Sequence, residues 1–108
     1  MRTLAAVVLC LGVSLSLSVG LYAAKGSVVL VVRGCDYYVV DAPSGFAVLE
    51  WFGGNQPQKG DVMAGDFETY GFQDLYNLTR NGAETRVWVE DYWLSRARAV
   101  EIIADNCH

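Results

Sequence analysis

Hydrophobic residues follow three different rules along this chain of 108 residues. Between Thr3 and Ala24 they run uninterrupted by any charge behind a single Arg2. From Ser27 to Glu90 they come in short β-branched and aromatic segments cut by glycine. From about Leu94 they recur at helical spacing. Three rules predict three kinds of segment.

The first segment reads as a secretory leader, with a basic start, an apolar middle from Leu4 to Leu17 and small residues near its end. Residues 1–23 are assigned to this signal peptide and residues 24–108 to one β-rich domain. Cleavage after Gly20 (with Ser18 at −3), Ala23 or Ala24 fits the pattern. The same run is long enough to cross a bilayer as an uncleaved helix, so a retained anchor is the second reading. Cys10 is lost with a cleaved leader. Val7-Val8-Leu9 ahead of it lacks the small residue that precedes a lipidated cysteine.

The middle zone predicts strands. Ser27 to Arg33 and, after Gly34, Cys35 to Val40 have the β-branched and aromatic density of a pleated, half-buried surface. Asp41-Ala-Pro-Ser-Gly45 is turn chemistry, because proline presets φ and glycine accepts positive φ. Phe46 to Phe52 is the next strand, and Gly53 to Gly60 is a polar loop, predicted to be the most mobile stretch. Asp61 to Ala64 begins another strand that Gly65-Asp66 interrupts and Phe67 to Tyr70 continues. Beyond Gly71, Phe72 to Leu78 and Thr85 to Glu90 flank Asn81-Gly82, the strongest hairpin signal in the chain. In the returning strand Val87 and Val89 share one face, and Arg86, Trp88 and Glu90 share the other.

From Leu94 to Asp105 the alanines favour helix, and Val100, Ile103 and Cys107 form a stripe predicted to face a core. The prediction is a mainly β domain with a C-terminal helix. Its architecture is a small curled antiparallel sheet or partly open β-barrel, OB-like or SH3-like in size.

Composition then narrows the chemistry. An exported domain of this size buries a modest share of its surface, and it retains two cysteines, Cys35 and Cys107, which allow one pairing. In the chain-entropy model a crosslink over that span stabilises the fold by roughly 4 kcal/mol. An oxidising compartment, secreted or periplasmic, follows from both leader and cysteines. Removing Arg2 with the leader leaves seven basic side chains against twelve acidic ones, a net charge of −5. The basic residues are scattered, so phosphate backbones are repelled and nucleic acid is not an expected partner.

The sole histidine is His108, the last residue, which supports neither a nucleophilic triad nor a zinc site. No metal or other cofactor is expected. Asp61, Asp66, Glu68 and Asp74 cluster in sequence and read as a solvated face. Paired carboxylates also suffice for a small hydrolase, which is the weakest functional reading. Asn77-Leu-Thr79 matches the N-glycosylation acceptor pattern.

Aromatic residues are the strongest functional signal. Adjacent strand residues face opposite sides, so Tyr37 and Tyr38 must split, as must Trp51 and Phe52. Some rings should therefore form an exposed patch, with Trp88 the leading candidate and Trp51 or Phe52 beside it. The alternative places Trp88 under the C-terminal helix, with Tyr92 and Trp93 wedged at the strand-to-helix corner. The resulting expectation is a non-enzymatic exported module that binds a protein or glycan. An envelope-anchored structural or assembly component is the second reading, touching the membrane only through its uncleaved N-terminal segment.

Overall fold

Six antiparallel strands close into a barrel in the order β1-β2-β3-β6-β5-β4. The computed structural model describes residues 24–108; the leader reading of residues 1–23, Cys10 included, lies outside the described residues. The strands are β1 (Ala24–Val31), β2 (Tyr37–Ala42), β3 (Gly45–Gly54), β4 (Val62–Gly65), β5 (Gly71–Asn77) and β6 (Ala83–Leu94). One helix, α1 (Arg96–Asn106), follows β6. The predicted curled sheet thus closes completely. Two three-stranded meanders, β1-β2-β3 and β4-β5-β6, are joined along β3–β6 and β1–β4.

Alternation along the strands gives the barrel a filled interior. Val28, Tyr38, Val40, Leu49, Met63, Leu75, Val87 and Val89 point inward, and Phe67 closes the cluster. A second cluster lies outside the barrel wall. There Val39 and Val48 take the outward positions of β2 and β3, and Ala99, Ile102 and Ile103 of α1 cover them. Ser95 caps the helix, its hydroxyl accepting from the Arg98 N–H.

Several elements depart from their expected bounds. Cys35 lies in the turn between β1 and β2 rather than opening a strand. The segment after Gly65 bends away instead of continuing β4, because Phe67 turns in to close the barrel interior. β6 runs on to Leu94 and carries Tyr92 and Trp93 inside the strand. Val100 is 50% exposed rather than facing the core. Two stripes at three-and-four spacing share Ile103, and the one containing Ala99 wins because its small side chain lets α1 approach Val39 and Val48 closely.

The predicted crosslink is present. Cys35 and Cys107 are joined by a disulfide, which ties the β1–β2 turn to the C-terminal cap of α1. A disulfide belongs to an oxidising compartment. Replacing both cysteines by serine is expected to lower the unfolding free energy in urea by roughly 4 kcal/mol. The barrel, whose core contains neither residue, should keep its far-ultraviolet dichroism.

Candidate functional site

The Gly53 to Gly60 loop, predicted as the most mobile stretch, is pinned across one mouth of the barrel. The Asn55 N–H donates to the Glu84 carbonyl (2.9 Å), and the Gly60 N–H donates to the Val28 carbonyl (2.8 Å). Its anchor is Asp61, which is 3% exposed. One carboxylate oxygen, Oδ2, accepts from the Gln58 N–H (3.0 Å) and from Asn77 Nδ2 (2.8 Å). Arg80 lies over the other at 3.3 Å. Asp61 therefore departs from its expected place on a solvated face. Burial opposes its charge, but hydrogen bonds from Asn77, the Gln58 amide and Arg80 outweigh burial and hold the carboxyl below its ordinary range.

Asn77 completes this seal and is fully buried. Its amide donates to Asn55 Oδ1 (2.9 Å) as well as to Asp61. Both amide hydrogens of the glycosylation acceptor pattern are thus engaged inside the fold. The remaining carboxylates of the sequence cluster go to separate partners. Asp66 accepts from the Glu68 N–H and the Thr69 hydroxyl, Glu68 accepts from the Trp93 indole, and Asp74 pairs with Arg86 at 3.1 Å. They converge on no common cleft.

The aromatic residues do converge. On the outer wall formed by β3, β6 and β5, Phe52 meets Phe72 with ring centroids 5.0 Å apart, and Phe72 meets Trp88 at 4.9 Å. Their exposures are 52%, 46% and 37%. The row exists because Phe72 and Trp88 are direct cross-strand partners and a register shift after Trp51 swings Phe52 toward them. The Arg86 guanidinium sits 4.8 Å above the Phe72 ring. Helix α1 covers β2 and β3 elsewhere, so Trp88 does not pack beneath it.

Of the three candidate binding residues, Trp88 and Phe52 stand in this row. Trp51 does not: it is half-buried against the barrel core, and its indole donates to the Asn55 carbonyl (3.1 Å). Phe72, the centre of the row, is not among those candidates; it shares strand parity with exposed Tyr76. A second aromatic group stands where β6 leaves the barrel. Tyr70, Tyr92 and Trp93 pack in sequence at 4.7 and 5.1 Å. The Tyr70 hydroxyl donates to Asp91 (3.0 Å), and that bond raises the phenol pKa. Trp93 is 66% exposed and has φ of +58°, which a bulky residue rarely adopts. Gly45 permits it, since a Cβ there would lie 2.9 Å from the Trp93 Cα.

Compared with protein-family models, curated proteins and solved structures, the chain finds no match.

Two outcomes follow from the seal. A carboxylate whose pKa is depressed by folding contributes stability above its unfolded value, near pH 4, and loses it as pH falls through the folded value. The urea midpoint should therefore fall as pH drops from about 5 toward 2. Asp61→Asn should flatten that slope while costing about 1–3 kcal/mol at pH 7. Secondly, expression through a eukaryotic secretory route should yield folded, disulfide-bonded protein with no glycan on Asn77. Peptide mapping after glycosidase treatment checks this, and a folded, glycosylated product would contradict the hydrogen bonding described.

Proposed function

We propose that this chain is a non-enzymatic, exported binding module whose outer wall of β3, β6 and β5 docks another protein. The observation that carries the reading is the exposed row Phe52–Phe72–Trp88. Three large rings held in contact yet open to solvent are an apolar patch of the kind that marks interaction sites. Aromatic residues of this type also serve as anchors at the centres of protein interfaces.

Ring geometry favours a protein over a glycan. Stacking against a sugar uses an open ring face, and an extended platform needs neighbouring rings lying side by side. Here successive rings meet nearly edge-on, at 85° and 84°, and Arg86 already covers part of Phe72. The result is a ridged apolar surface suited to interdigitating side chains. The disulfide and the apolar leader support delivery to a secreted or periplasmic location. Retention of residues 1–23 would turn the same module into an envelope-anchored assembly component, and the docking wall would serve either form.

A photo-crosslinking amino acid at Phe72 or Phe52 in the native host should give one discrete adduct. The same probe at Val100, exposed on α1, should not. Trp88→Ala should reduce the Phe52 adduct at least tenfold, given interface anchors worth about 2 kcal/mol or more. Equal adducts from Val100, or none from the wall, would remove the proposal.

A further inference from the structure

We infer that the partner meets this wall with a cationic segment, in which arginine or lysine side chains alternate with apolar ones. The inference rests on the docking reading above and goes further, because it assigns the chemistry of the occupant. Its basis is the charge that surrounds the aromatic row.

Cross-strand register puts the outward positions in rows. Phe72 pairs with Trp88, and Trp88 pairs with Glu50 on β3. Asp74 pairs with Arg86, and Tyr76 pairs with Glu84. Glu90, two residues beyond Trp88, shares its face. The wall therefore presents four carboxylates, Glu50, Asp74, Glu84 and Glu90, against the single guanidinium of Arg86. Asp74 already neutralises that guanidinium. Among the described residues, no ion pair engages Glu50, Glu84 or Glu90.

Three unneutralised carboxylates around three exposed rings define what fits. An anionic polymer is repelled, and a purely apolar partner would bury carboxylates without compensation, which is costly. A basic side chain satisfies both features, since it pairs with carboxylate and lies over an aromatic face. The wall shows this arrangement once in its own structure: Arg86 bonds Asp74 while its guanidinium rests over Phe72. The partner would repeat the pattern at Trp88, between Glu50 and Glu90, with a second basic side chain meeting Glu84 beyond Arg86. A closed barrel offers no free sheet edge here, so recognition falls to side chains rather than to strand addition.

The test uses the full chain in mild detergent and three acetylated, amidated hexapeptides: Arg-Leu-Arg-Leu-Arg-Leu, its Ser-for-Arg analogue and its Glu-for-Arg analogue. Binding is read from the Trp88 indole and Phe72 amide signals in nitrogen-edited NMR spectra. The arginine peptide should shift both signals and bind at least about tenfold more tightly than the serine peptide. Its affinity should fall several-fold between about 20 and 200 mM salt, as screening of exposed charges requires. The triple variant Glu50→Gln, Glu84→Gln, Glu90→Gln should bring it to the level of the serine peptide with its thermal midpoint nearly unchanged. Equal binding of the serine peptide at the same signals would overturn the cationic assignment and leave the docking wall standing. Arginine-peptide shifts that avoid Trp88 and Phe72, or that survive the triple variant, would also overturn it. Absence of any shift from all three peptides would overturn it too, while the crosslinking result at Phe72 decides the docking reading separately.

Discussion

Closure along the β1–β4 seam is the constraint on which the rest of the structure depends. The seam is short: residues Ala24 to Ser27 pair with Val62 to Gly65. Open, it would leave two strand edges with unpaired backbone groups, a liability that proteins must cover or blunt. Closed, it satisfies those groups and surrounds one set of side chains completely. The seam continues past β4 because the Val28 N–H donates to the Asp61 carbonyl (2.8 Å) and the Val28 carbonyl accepts from Gly60. The same residue that seals the barrel mouth with its side chain therefore extends the closure with its backbone.

Closure also divides the outer surface into two fates. Outward Val39 on β2 and Val48 on β3 receive α1, which the disulfide fastens at its far end. Outward Phe72, Asp74, Trp88 and Glu84 on β5 and β6 stand with Arg86 outside the sector that α1 covers, among the described residues. Helix and wall occupy different sectors of one barrel, so packing the helix does not compete with exposing the rings. That separation lets a small domain be stable and still leave large rings in solvent.

Strain is placed near the exposed aromatic surface rather than in the core. Trp93 holds a positive φ at a cost of about 1–3 kcal/mol, one residue before the end of β6. Its indole bond to Glu68 and its contact with Tyr92 compensate part of that cost. The residue lies at a register shift between the pairs Val48–Asp91 and Phe46–Leu94, beyond which Leu94 joins the cluster beneath α1.

Much of this was legible from residue order alone. Alternation of Val87 and Val89 against Trp88 identified an inward and an outward face, and those faces are observed. The two cysteines of residues 24–108 admitted one bond, Asp41 to Gly45 turned, and Asn81 and Gly82 both take positive φ as an Asn-Gly turn requires. Local periodicity and turn stereochemistry act over a few residues, which is why sequence reveals them. Tertiary structure decided the rest. A two-residue turn at Asn81-Gly82 would oppose Phe72 to Asp91; the longer connection through Leu78–Arg80 opposes it to Trp88 and creates the aromatic row. The burial of Asp61 depends on Asn77 and Arg80, which the β4–β5 register, pairing Met63 with Asn77, brings beside it. The phase of α1 was likewise open, because two stripes shared Ile103 until Val39 and Val48 selected one. Register, burial of charge and helix rotation are set by partners distant in the chain, and no local pattern encodes those distances.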